Sequence, residues 1–235
     1  MKSTTAVLLF VLLLTGWPSS ATAADPPAAG ATIATVSRVI LDVTRKEPNK
    51  DWQQAKMGEL LGTGDRVRTG EHSIAIIKFK DNSLVRVRAE SELAITGTQT
   101  GNAFSKSVDL EKGGLGFSVA KQRPEEEFRF TSPTSVASIR GTAGQFIVTG
   151  EGDTLVVLNG SVHLTNSRSS NAVDVAAGFT GVSSPDGNIL ARHSTDQEKK
   201  SAEESLLSGD QPMRLEFDLR DSQGKSKNLR IDYKQ

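Results

Sequence analysis

Residues Ser73–Ile95 read SIAIIKFKDNSLVRVRAESELAI, and their reading decides the fold. Ala75, Ile77 and Phe79 share one parity, and so do Val85, Val87 and Ala89. A three-residue connection at Asp81-Asn82-Ser83 pairs 79 with 85, 77 with 87 and 75 with 89, so both apolar sets fall on one side. A two-residue loop at Asp81-Asn82 would set Ile77 against Arg86 and mix the faces. A corner between stacked strands would leave the same local pattern.

Outward from this window, alternation of period two begins at Thr35. Further strands are expected at Phe104–Leu110, Gly116–Val119, Phe128–Phe130, Val136–Ile139, Gln145–Val148, Thr154–Leu158, Ser161–Thr165 and Val173–Val175. Short strands separated by Gly, Asn and Asp indicate an all-β body over 35–192, built as a sandwich or as a β-roll or solenoid-like stack. Helical spacing is nearly absent before Ser194. DQEKKSAEESLL, with Ser194 or Thr195 as cap and Gly209 as stop, is expected to be one short polar helix or a linker within 193–210. From 211 to 235 a β-hairpin is expected. Met213, Leu215, Phe217 and Leu219 alternate with charge, Asp221 to Gly224 turn, and Leu229, Ile231 and Tyr233 alternate again. Its apolar face needs a cover, because an isolated hairpin is marginal in water.

The chain has 235 residues and no cysteine, which excludes disulfides, thiolate metal sites and a lipid-modified N-terminal cysteine. Lys2, the apolar run Ala6–Leu14 and Ala21-Thr22-Ala23 have the form of a cleaved secretory signal over 1–23, followed by a flexible lead-in over 24–34. The apolar run is too short to span a bilayer, so an exported chain without a membrane span is expected, periplasmic or secreted. Without residues 1–23, 27 basic and 28 acidic side chains remain, a net charge of −1. That balance gives no pull toward nucleic acid.

Several stretches together resemble the FecR domain, a module of bacterial envelope proteins. They are Gly58-x-x-Leu61-x-x-Gly64-Asp65-x-Val67-x-Thr69, then Ser73 to Ser83 with Asp81-Asn82-Ser83 where the family usually has Asp-Gly-Ser, and then Leu110 to Gly114. Phe130 to Pro133, Ile139-Arg140-Gly141-Thr142, Phe146 to Val148, Val157 to Val162 and Val175 to Gly178 complete the order. The resemblance implies an extracytoplasmic, non-catalytic β module. Its best-known members sense an outer-membrane receptor and control a sigma factor, using an N-terminal anti-sigma domain and an internal membrane helix. This sequence shows neither, so a free periplasmic version is expected. Its partner would be an envelope protein or an anionic polymer.

Two groups of residues are candidates for contact with that partner. In the register above, Lys78, Lys80, Arg86 and Arg88 point away from the apolar face, and Arg66 and Arg68 could extend the strip. A solvated sheet face offset by Glu90 and Glu92 is the plainer reading; a groove for anionic material is the sharper one. Arg140 is the second candidate, as a grip on an anion. Gly64, Asp65, Asp81, Gly141, Thr142 and Gly160 are read as architectural. Glycine accepts a bend, and arginine and threonine can satisfy loop carbonyls. His72, His163 and His193 have no metal-ligand spacing, no GxSxG elbow occurs, and no cofactor motif is present. Enzyme chemistry therefore finds no support in the sequence. An adaptor acting through the C-terminal hairpin, and less favoured an envelope hydrolase, are the alternatives.

Overall fold

The structure is a computed structural model; it describes residues 32–207 and the two strands 213–220 and 226–233. The expected signal segment, nearly all of the lead-in and the turn of the hairpin lie outside the described residues. Eight strands come first: β1 (Ala34–Ile40), β2 (Val43–Lys46), β3 (Gln53–Gln54), β4 (Leu60–Leu61), β5 (Arg66–Thr69), β6 (Ile74–Phe79), β7 (Leu84–Val87) and β8 (Glu92–Thr100). The long β9 (Ala103–Ser118) follows. Eight more succeed it: β10 (Phe128–Thr131), β11 (Ser135–Ile139), β12 (Ala143–Thr149), β13 (Gly152–Asn159), β14 (Ser161–Asn166), β15 (Ala172–Ala176), β16 (Phe179–Ser183) and β17 (Ile189–His193). Helix α1 (Asp196–Leu206), β18 (Met213–Arg220) and β19 (Ser226–Tyr233) close the order.

The pairings form two layers. One runs β4-β1-β6-β7-β9-β12-β13-β16-β17. The other runs β3-β2-β5-β8-β9-β10-β11-β14-β15, antiparallel except where β10 runs parallel to β9. Beyond β9 the chain supplies strands two at a time to alternate layers. The all-β body is therefore a sandwich wound like a roll, which joins the two closures the sequence left open. Phe104–Leu110 and Gly116–Val119, expected as separate strands, are one. β9 pairs with β8 and β10 as far as Lys112, and with β7 and β12 from Gly113 onward. At the crossing the buried Ser91 hydroxyl accepts from the Gly114 N–H at 2.9 Å, so the backbone change of layer is satisfied locally.

Phenylalanines from both layers interlock in the core. Phe79 meets Phe128 edge-on with centroids 4.8 Å apart, Phe117 meets Phe130 at 4.9 Å, and Phe130 stacks on Phe146 at 6.3 Å. All five rings are fully buried, each removing about 2–3 kcal/mol worth of apolar surface from water.

The β6–β7 hairpin has the expected parity, but its register is two residues away from the one argued above. Ala75 pairs with Val87 and Ile77 with Val85, and the Phe79 N–H donates to Ser83 O at 2.8 Å. The connection is Lys80-Asp81-Asn82. Asn82 closes it at φ +67, and the Asp81 carboxylate accepts from the Ser83 N–H at 3.0 Å. An asparagine tolerates that left-handed position where most residues do not, which moves the turn forward.

α1 forms with Thr195 as its N-cap in a reciprocal capping box with Glu198. It packs on β9, β12 and β13, against the outer face of the first layer. Only Ala202 and Ser205 of α1 are fully buried. A Cβ on Gly116 would overlap the Ser205 carbonyl and lie 2.6 Å from its hydroxyl, so small residues on both sides set this close approach. In the C-terminal hairpin Met213 pairs with Tyr233, Leu215 with Ile231 and Phe217 with Leu229.

Candidate functional site

Asp81 and the Arg140-Gly141-Thr142 corner meet at one end of the sandwich through Gln122. Asp81, in the β6–β7 turn, accepts from the Lys106 ammonium at 2.9 Å and from the Gln122 amide at 2.8 Å. Lys106 is a buried lysine of β9, its ammonium 5.6 Å from the Phe128 ring centroid. Burial pushes the Asp81 carboxyl up, but the hydrogen bonds from Gln122, Lys106 and Ser83 outweigh it and hold the group below its usual range. The next loop starts at Arg140, whose Nε donates to Gln122 O at 3.4 Å. Thr142 is buried and donates to Ser161 O at 3.0 Å. Gly141 and Gly160 sit at φ +72 and +82, and a Cβ on Gly160 would lie 2.9 Å from both Gly141 O and Thr142 Oγ1. Arg140-Gly141-Thr142 is thus largely consumed by the corner, with only the Arg140 guanidinium exposed. Gly64 and Asp65 do comparable work elsewhere: Gly64 turns at φ +87, and the Asp65 carboxylate accepts from the Gly62 N–H at 2.9 Å.

The basic strip is divided. Lys78 and Lys80 are exposed and make no ion pair among the described residues. Arg86 lies against the end of α1 and donates to Glu204 O at 2.9 Å and to Leu207 O, satisfying the carbonyls that a helix C-terminus leaves open. Arg88 reaches Ser201 Oγ at 3.5 Å. Burial, with Arg88 and Arg38 nearby, lowers the Arg86 pKa. Arg66 and Arg68 do not extend this strip, because β5 belongs to the other layer. There Glu92 takes both, at 2.6 and 2.8 Å, and Arg68 also covers the Trp52 ring at 4.2 Å. Beside α1 a cavity of about 250 Å³ opens between Arg86, Arg88, Ile74, His72 and Glu204.

A second buried polar group escaped the sequence reading. Asp153 on β13 is 1 % exposed, and it accepts from the hydroxyls of Ser132 and Ser135. Ser132 in turn accepts from the N–H groups of Thr134 (3.0 Å) and Ser135 (2.9 Å), which fixes the Ser132-Pro133-Thr134 turn. The signal was present: Asp153 keeps step with Leu155 and Val157, and Lys106 with Val108 and Leu110, so each stands on an inward parity.

Most of these residues lie within one matched segment. Residues 65–163 match the family model described as FecR protein. The chain carries a FecR domain. The matched segment runs from β5 through the first three residues of β14, and it includes the whole crossing strand. No curated protein matches this sequence. A crystal structure of a proposed anti-sigma factor from Parabacteroides distasonis ATCC 8503 is similar at TM-score 0.50 and 13% identity, over 68% of this chain and 70% of that one. A second crystal structure under the same description gives a TM-score of 0.49 at 13% identity, over 58% of this chain. The chain spans 62% of the length of that structure. At such identity the likeness is one of fold. No helix among the described residues is long and apolar enough to cross a membrane.

Proposed function

We propose that this FecR-domain chain is a non-catalytic sensing module that binds a protein partner in the cell envelope, after export through residues 1–23 to the periplasm. The observation that carries the reading is the FecR match over 65–163. The fold-level likeness to a protein described as an anti-sigma factor agrees with a place in signalling. In this reading Asp81, Gly141, Thr142 and Gly160 hold the sandwich end in shape, while Arg140, Lys78 and Lys80 offer positive charge to the partner. Arg86 and Arg88 contribute there only through the face they share with α1. Exposed cations of this kind steer association and lose their effect in salt.

Cross-linked recovery of the tagged chain from envelope fractions tests the reading. Recovery of a transmembrane regulator, reduced when Lys78, Lys80 and Arg140 are replaced by serine, supports it; recovery of glycan alone overturns it. The alternation of apolar and charged residues in the sequence of the two paired C-terminal strands favours a second reading, an adaptor that holds its partner through this hairpin. Deleting Gln211 to Gln235 then abolishes recovery while the sandwich stays folded.

A further inference from the structure

A cavity of about 480 Å³ lies at the other end of the sandwich from Arg140. β12 runs between the two ends, from Ala143 beside the Arg140 corner to Thr149 at the cavity, a rise of roughly 20 Å. Two cations line the cavity, Lys112 at the crossing of β9 and Arg168 in the β14–β15 turn. Both are exposed, and neither side chain has an ion pair or hydrogen bond among the described residues. The adjoining Glu111 carboxylate is held at 2.6 Å by Arg66. Pro133, Val148 and Pro185 supply apolar wall, and no aromatic ring lines the cavity.

Buried polar groups hold the walls in place. Asn166, with no exposed surface, accepts from the backbone N–H groups of Arg168 (2.9 Å) and Ser169 (3.0 Å). Its amide donates to Ser183 Oγ at 2.8 Å and Ser184 O at 2.9 Å, so one side chain ties the Arg168 turn to the Ser184-Pro185 turn. Ser132, Ser135 and Asp153 fix Pro133 on the opposite wall. The second Asp153 oxygen is buried and has no partner among the described residues. A site with rigid walls and two uncommitted cations needs little reorganisation to take an anion.

We propose that this cavity receives an acidic side chain of the partner protein. Arg168 and Lys112 take the carboxylate, and a neighbouring aliphatic side chain lies on Pro133, Val148 and Pro185. Arginine matches a carboxylate with its planar fork. A sugar would instead want an aromatic platform, and the lining offers none. The inference rests on the proposed protein-binding function and names the chemistry of its contact.

The test uses nitrogen-15 NMR on the purified chain with two blocked peptides, acetyl-Leu-Glu-Leu-amide and acetyl-Leu-Gln-Leu-amide. The glutamate peptide should shift the amides of Thr134, Thr149, Gly150 and Ser184, at least fivefold more tightly than the glutamine peptide, and weaken in 0.5 M salt. Lys112→Ser with Arg168→Ser should abolish the preference without changing the Tm. Lys112→Glu with Arg168→Glu should transfer it to acetyl-Leu-Lys-Leu-amide. Equal response to both peptides, shifts confined to other surfaces, or saturation by glucuronate or inorganic phosphate without a peptide response overturns the assignment. If cross-linking recovers the same partner with wild type and with the double serine variant, the cavity inference fails alone. If wild type recovers no protein, the functional reading fails.

Discussion

Replacing Gly116 by alanine tests how α1 is held against the sheet. The added Cβ would overlap the Ser205 carbonyl oxygen and approach the Ser205 hydroxyl to 2.6 Å. The offended atom is helix backbone, so no side-chain rotation relieves it, and α1 must lift by about 1 Å. That lift loosens the packing of Ala202 and Ser205, and it pulls the Glu204 and Leu207 carbonyls away from Arg86. Overpacking of this kind costs about 2 kcal/mol. The cost falls on a helix that buries only two residues, so it should appear as local opening and not as global unfolding. Hydrogen exchange of the α1 amides reads it: protection should fall about thirtyfold, while the amides of β12 and β13 keep theirs. Gly150→Ala is the control, since nothing lies within 4 Å of its Cβ position. Unchanged α1 protection in Gly116→Ala, or an equal loss in Gly150→Ala, refutes the reasoning.

Three further outcomes can be measured. Lys106→Met leaves Asp81 without its buried cation and should cost about 3 kcal/mol in urea denaturation, whereas adding Asp81→Asn should restore at least half; a loss below 1 kcal/mol from the single change contradicts the account. Burial outweighs the hydrogen bonds from Ser132 and Ser135 and raises the Asp153 pKa above its ordinary 3.8. The folded state therefore holds this proton to higher pH than the unfolded state does. The contribution is present at low pH and is lost as pH rises from 3.8 through the folded value. Asp153→Asn should remove that downward slope from urea midpoints taken between pH 4 and 7, and an unaltered slope counts against it. Glu198 titrates in the opposite sense, held down to about 2 chiefly by the hydrogen bond from Arg192, which together with the Thr195 cap outweighs the opposing effect of burial. Its stabilisation is present above 4.5 and lost as pH falls toward 2, so Glu198→Gln should cost about 1 kcal/mol at pH 7 and nothing at pH 2 by thermal unfolding.

The layers could be read where apolar residues alternate without interruption, as from Ile74 to Val87 and from Gln145 to Val148. β16 and β17 went unread for opposite reasons. Phe179–Ser183 alternates through small residues, and Ile189–His193 is an edge strand with almost every side chain in water, so neither carries a strong apolar period. Gly113-Gly114 looks like a turn in isolation, and only the positions of Ser91 and β12, distant in sequence, make it a point of passage inside β9. The strip of cations was half legible. Parity placed Lys78, Lys80, Arg86 and Arg88 outward, but parity says nothing of which layer β5 joins or of a helix whose Glu204, 118 residues later, uses Arg86. The buried Lys106 and Asp153 were missed because the rule that charged residues belong in water was applied too generously.

β9 has eight strands before it and eight after it in the sandwich, and among the described strands every backbone ladder that joins the earlier eight to the later eight passes through it. A load applied to either half must therefore travel along this single segment, which behaves as the keel of the molecule. Cutting the gene at Gly101-Asn102 would hand the keel intact to one fragment and leave the other with a ready seat for it, so two separately made pieces could find each other and rebuild the whole.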